Sequence, residues 1–280
     1  MRGYCGVTYT LGRSLYIAVT CRSNATTLPE TRGPNFTLPI QVVLALQRLR
    51  MQEFNGNDQL SLQLHPPNDD LVMSNNIDGK VIVEKYLPPL PKVTTIPLEE
   101  AYDDDLLHQF QLNILQSLHE QPLKYVVFAG EGEPTLKLPI LLSISRTIRE
   151  NYHTMKLPIR IITNGLTISS LNDYVSGKCQ NKLLKEMKDS GITHLSIALM
   201  TSCSEQYREL MNPTSYTSDR IHRNEAYCPH ERLCQLIQAA TAYGFHVELT
   251  GVDRPDIDKE KAEELAAKIG ATFRWRPYYP

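Results

Sequence analysis

The sequence predicts an α/β fold of parallel strands, an open or partial TIM-like (β/α)6 barrel with a small inserted lobe. Three observations predict it. From Tyr125 to Trp275, short β-branched or aromatic runs alternate with longer runs of helical periodicity, the pattern of a parallel sheet with right-handed crossovers. Six runs read as strands, short of the eight in a closed barrel. Several helical runs stop at glycine, at Gly191, Gly244 and Gly270, where a left-handed cap suits a residue without a side chain.

Taken in order, Leu15–Thr20 is a mostly apolar run that suits a buried parallel strand. A polar loop follows from Cys21 to about Leu38, and Ile40–Gln52 carries its apolar residues on one helical face. From Phe54 to Pro97 the character changes: Pro66, Pro67, Pro88, Pro89, Pro91 and Pro97 punctuate two short strand-like runs. Residues 54–97 read as an inserted lobe within a single 1–280 domain, and its proline-rich surface suits a protein partner. Pro97–Glu120 reads as a helix, and Tyr125–Phe128 as the next strand. Then follow helix Leu138–Asn151, strand Pro158–Thr163, helix Asn181–Ser190, strand Thr193–Leu199 and short helix Ser204–Met211. Helix Pro229–Tyr243, strand Phe245–Val252, helix Asp258–Ile269 and strand Ala271–Trp275 close the series.

The chain centres on the stretch Tyr125 to Thr135, where a strand runs into Gly130-Glu131-Gly132-Glu133-Pro134-Thr135. Gly130 and Gly132 let a ligand meet bare backbone, and Pro134 suits the first turn of a helix. Parallel α/β folds place their sites at this end of the strands. An ordinary βα turn has the same residues.

Composition bounds the function. Of 280 residues, 41% are hydrophobic and 21% charged, enough for a sizeable core. A formal net charge of -2 without basic blocks implies neither a nucleic-acid partner nor a membrane. The six cysteines are scattered and none forms C-x-x-C, which disfavours a disulfide scaffold. With no secretory leader or long apolar span, the expectation is a soluble, intracellular protein, and the Asn24 and Asn35 glycosylation patterns then carry no weight.

The order of motifs resembles the radical SAM superfamily. It runs through Tyr9-Thr10-Leu11-Gly12, Leu15-Tyr16-Ile17, Thr20 and Gly33-Pro34-Asn35-Phe36. Phe128, Gly132-Glu133-Pro134-Thr135, Thr163-Asn164-Gly165-Leu166 and Leu195-Ser196-Ile197-Ala198-Leu199 continue it. Within the superfamily the chain is most similar to the small bacterial group associated with TatD-type nucleases, over most of its length apart from roughly 54–97 and 212–228. The resemblance implies that Gly130, Glu131, Gly132, Glu133, Pro134 and Thr135 hold S-adenosylmethionine, with Asn164 and Ser196 facing the same cavity. It also implies three cysteines after the first strand, and the aligned positions here are Ser23, Thr27 and Glu30. A [4Fe–4S] cluster needs thiolates. The expectation is therefore a degenerate member without cofactor or [4Fe–4S] cluster, binding S-adenosylmethionine weakly if at all. It would serve as a non-catalytic scaffold, subunit or ligand-binding module. The alternatives are an enzyme doing non-radical chemistry on S-adenosylmethionine or a phosphate ester, and an atypical radical SAM enzyme.

Other constellations are weaker. His222, Cys228, His230 and Cys234 fit no standard zinc spacing. Cys203 follows a strand end but has no evident base beside it. Asp69-Asp70 and Asp103-Asp104-Asp105 suit solvated faces or helix caps. Phe273-Arg274-Trp275-Arg276 alternates aromatic and cation. Its arginines either point outward or share a face into the barrel mouth, where they would hold a phosphate or carboxylate.

Overall fold

The computed structural model describes residues 6–54, 104–120, 122–151, 157–171, 178–213 and 228–280. Seven strands form one sheet in sequential order: β1 (Val7–Leu11), β2 (Ser14–Ala18), β3 (Tyr125–Phe128), β4 (Ile159–Thr163), β5 (Ile192–Ala198), β6 (His246–Asp253) and β7 (Thr272–Pro277). Strands β2 to β7 are all parallel, and they match the six expected from the sequence. The sheet and its helices make the partial TIM-like barrel that the alternation predicts. The extra strand, β1, pairs antiparallel with β2 across a turn at Gly12 and Arg13. Gly12 has φ +57°, which suits glycine in a tight hairpin turn.

The helices are α1 (Leu28–Thr31), α2 (Ile40–Phe54), α3 (Asp104–Glu120), α4 (Leu138–Asn151), α5 (Leu166–Leu171), α6 (Lys178–Asp189), α7 (Ser204–Met211), α8 (Pro229–Ala242) and α9 (Lys259–Lys268). A 3-10 turn, Pro134–Lys137, leads into α4. Apart from Phe54, which ends α2, the expected 54–97 lobe lies outside the described residues. So do Asp69, Asp70, Asp103 and His222. No helix among the described residues is long and apolar enough to cross a membrane.

Strand alternation gives the sheet two faces. One carries Leu15, Ile17, Val126, Phe128, Ile159, Ile161, Leu195, Ile197 and Leu249, packed with α3, α4, α6 and α8 in the main core. A smaller cluster on the other face joins Ala18, Cys21, Val42, Leu46 and Leu49 with Val7, Tyr9 and Leu11, so that α2 covers one end of it. Elsewhere this inner face carries a polar group, in which Arg160, His194, Ser196, His246, Glu248 and Arg274 alternate with the core positions along β4 to β7.

Candidate ligand site

The β3 strand delivers the chain to Gly130 at the edge of a pocket. Gly130, Glu131, Gly132 and Glu133 line one side of it, Asn164 another, and Ser23, Thr26, Thr27 and Leu28 a third. The glycines serve packing first. A Cβ on Gly132 would sit 2.5 Å from the Arg22 carbonyl oxygen and 2.7 Å from that of Thr20. A Cβ on Gly130 would sit 2.8 Å from that of Ala18. The turn is therefore pressed against the end of β2, and the Glu133 amide donates to the Arg22 carbonyl at 2.8 Å. The main-chain groups of Gly130, Glu131 and Gly132 make no hydrogen bond among the described residues.

Glu133 is buried, and its carboxylate faces the protein rather than the pocket. It accepts from the Thr135 amide at 3.0 Å, the Thr135 hydroxyl at 2.5 Å, the Thr163 hydroxyl at 2.6 Å and the Asn164 amide at 2.7 Å. Burial pushes its pKa up, and these four donors oppose that shift. Glu133 thus ties the β3 turn to the end of β4. Pro134 and Thr135 are buried in the 3-10 turn that follows.

Glu131 turns the other way and pairs with Arg50 of α2. Arg50 Nε donates to Glu131 Oε2 at 2.8 Å, and its Nη2 meets Oε1, a fork-on-carboxylate pair. Burial raises the Glu131 pKa, opposed by Arg50. Glu53 of α2 holds the adjoining loop by accepting from the Thr20 hydroxyl at 2.6 Å and the Cys21 amide at 2.8 Å. Neither Arg50 nor Glu53 stood out in the sequence, because each lies about 80 residues or about 30 residues from its partner and helical periodicity marks only apolar positions.

Asn164 offers both a donor and an acceptor, as expected, and spends both within the fold. Its Nδ2 donates to Asn24 Oδ1 at 2.6 Å, and its Oδ1 accepts from the Leu166 amide at 3.0 Å. Ser196 is not brought to this pocket. It lies on the inner face of β5 and donates to Glu248 Oε1 at 3.2 Å.

Within the loop from Cys21 to Thr31, several side chains bond to neighbouring backbone. Ser23 Oγ donates to the Ala25 carbonyl at 2.8 Å. Thr27 caps α1 by accepting from the Glu30 amide at 3.4 Å, and Glu30 accepts in return from the Thr27 amide at 2.6 Å. This reciprocal capping box occupies two of the three aligned positions. Cys21 is buried, with its thiol against the Leu46 carbonyl at 3.8 Å, and burial pushes its pKa well up.

The cysteine, histidine and aspartate candidates among the described residues lie apart from this pocket. Cys203 and Cys228 sit at the starts of α7 and α8. His230 contacts the Thr201 carbonyl at 3.0 Å, and burial pushes the Cys234 thiol up to about 11. Asp104 and Asp105 lie in the first turn of α3, where a helix favours negative charge. No group of three metal-ligating residues occurs among the described residues.

Residues 103–269 match the Radical SAM superfamily. The chain belongs to the radical SAM superfamily. No curated protein matches the chain. Among solved structures, Streptococcus suis SuiB is 17% identical with a TM-score of 0.43, over 62% of this chain and 34% of that one. SuiB bound to its precursor peptide SuiA is 15% identical with a TM-score of 0.44, over 67% of this chain and 36% of that one. The chain thus spans about a third of the length of those structures.

Membership corrects one expectation. The sequence led to no cofactor, no [4Fe–4S] cluster and at most weak S-adenosylmethionine, whereas the superfamily match points to S-adenosylmethionine and a [4Fe–4S] cluster as cofactors. The expectation generalised from a few substituted positions, while the match rests on the barrel itself. The two groups fare differently against the residues present. The bare Gly130–Gly132 backbone beside an open pocket fits a ligand with an amino group and polar edges. Ser23, Thr27 and Glu30 do not fit iron–sulfur ligation, because they bring no thiolate and their side-chain oxygens are engaged in the loop.

Proposed function

We propose that this chain is a ligand-binding module of the radical SAM superfamily. It holds S-adenosylmethionine at the Gly130–Glu133 turn and does not cleave it reductively. The resemblance to the small TatD-associated group, in degenerate form, belongs to this reading. One observation carries it: the main-chain groups of Gly130, Glu131 and Gly132 line a pocket and have no hydrogen-bond partner among the described residues. They can serve the cofactor's amino and ribose groups while Glu133 and Asn164 hold the turn in place. The capping box at Thr27 and Glu30 supports a binding rather than a radical role, since those side chains stabilise a helix end instead of ligating a metal.

The test is titration calorimetry of the full chain with S-adenosylmethionine, joined to hydrogen exchange. Saturable binding with a Kd on the order of 10 μM is expected, together with slower exchange of the 130–132 amides. Absence of heat, or protection elsewhere only, overturns the assignment of the site. Formation of 5′-deoxyadenosine after anaerobic incubation with iron, sulfide and a reductant overturns the non-catalytic role.

A further inference from the structure

The inner face of the sheet carries a second cluster, away from the glycine turn. Glu248 of β6 sits at its centre. Its Oε1 accepts from Arg274 Nη2 of β7 at 2.7 Å and lies 3.8 Å from Arg160 Nη1 of β4. Burial would raise the Glu248 carboxyl, but the Arg274 hydrogen bond and the two guanidinium charges outweigh it and hold it below the usual carboxylate range. Arg160 stands two residues before Ile162, which lines the pocket beside Asn164, so pocket and cluster share one face of β4.

Arg276 completes the cluster. It is two residues beyond Arg274, opposite Val252 of β6. The intervening Trp275 faces the helix side, where its indole donates to Glu263 of α9 at 2.6 Å. Arg274 and Arg276 therefore both face inward. Among the described residues, Arg276 Nε is buried without a hydrogen-bond partner. A buried donor of this kind is costly and rare in folded proteins. Burial, with Arg274 and Arg32 nearby, lowers the Arg276 guanidinium to about 10, so it is still charged at neutral pH.

Three guanidiniums, Arg160, Arg274 and Arg276, thus share one carboxylate, Glu248, among the described residues. The cluster keeps an excess of two positive charges. The nearby His194 adds none at neutral pH, because burial, His246 and Arg160 lower its pKa to about 4. A phosphate monoester is close to a dianion at neutral pH and offers oxygens to which planar guanidinium forks donate in pairs.

We propose that Arg276, with Arg274 and Arg160, forms a binding site for the phosphate group of a small phosphate ester on the inner face of the sheet. Glu248 spreads Arg160 and Arg274 around that position, and the phosphate supplies the acceptor that Arg276 Nε lacks. The site does not depend on S-adenosylmethionine binding.

The probe is inorganic phosphate, titrated into the full chain by calorimetry at fixed ionic strength. A Kd of about 1 mM or tighter is expected, weakened at least tenfold in Arg276→Gln and in Arg274→Gln. Phosphate should also raise the Tm of the native chain and leave that of Arg276→Gln unchanged, which separates lost binding from lost folding. S-adenosylmethionine titration of Arg276→Gln should match the native chain, so failure here differs from failure at the glycine turn. No phosphate binding by the native chain, or binding by both variants as tight as that of the native chain, overturns the proposal. A preference for malonate over phosphate moves the site to dicarboxylates and overturns the phosphate assignment.

Discussion

Glu133 illustrates how a motif residue can act without touching a ligand. Its four donors converge from the 3-10 turn, from Thr163 of β4 and from Asn164. Removing the carboxylate leaves those buried donors unpaired. Glu133→Ala should therefore lower unfolding free energy by roughly 2–4 kcal/mol, measured by urea denaturation. A loss under ~1 kcal/mol would mean that water replaces the carboxylate. His194 acts through pH. Burial, then His246 stacked at 4.6 Å and Arg160, lower its pKa from 6.5 to about 4. The unfolded chain binds that proton at a higher pH than the folded one. Its contribution to stability is therefore present above pH 6.5 and lost as the pH falls toward 4. Half-exposure screens the effect. His194→Gln should flatten the decline of Tm across that window, and an unchanged slope would assign the decline to other groups.

At the scale of elements, the β3 turn and the loop after β2 form one unit. The loop passes so close to Gly132 that any Cβ would strike the carbonyls of Arg22 and Thr20. Backbone has little freedom to yield, so Gly132→Ala should cost roughly 1–3 kcal/mol and weaken S-adenosylmethionine binding by shifting the loop. Thermal unfolding and calorimetry on that variant read both; native-like stability would show that the loop gives way easily. The same loop is anchored on three other elements. Glu53 of α2 holds Thr20 and Cys21, Asn164 holds Asn24, and the Thr26 amide donates to the Met211 carbonyl at the end of α7. The Thr27–Glu30 capping box then folds its far end into α1. These anchors fix the path of the loop across the end of β2.

For the whole molecule, one sheet separates two environments. The helix-covered face is almost wholly aliphatic, and its continuous packing accounts for the parallel architecture. The inner face is shared between α2, which seals the β1–β2 end, and the charged cluster on β4 to β7. The last strand is closed onto the loop after α1: the Tyr279 amide donates to the Arg32 carbonyl at 2.8 Å, and Arg32 Nε donates to the Pro277 carbonyl at 3.0 Å. That closure places Arg32 near Arg276 and joins the first and last parts of the chain. Through Ile162 and Arg160 of β4, the pocket at the glycine turn and the arginine cluster lie on one side of one sheet.

The sequence by itself determined the six parallel strands alternating with helices, most helix bounds and the glycine turn. These depend on local periodicity and on residue types that act within a few positions. It also showed that Ser23, Thr27 and Glu30 carry no thiol, because that is a matter of identity alone. It missed β1, whose Val-Thr-Tyr-Thr-Leu run reads as a strand only when paired with β2. The family resemblance implied Glu133 and Asn164 as residues of the site; both line the pocket, and the tertiary structure adds that their side chains bond Thr163, Asn24 and the Leu166 amide. It left the direction of Arg274 and Arg276 open. Alternation places two residues on the same side of a strand, but only packing of Trp275 against α9 decides which side faces the helices. Charge pairing across β4, β6 and β7 has the same character: Arg160 and Arg274 meet at Glu248 because parallel register aligns distant segments, and no local pattern encodes that alignment.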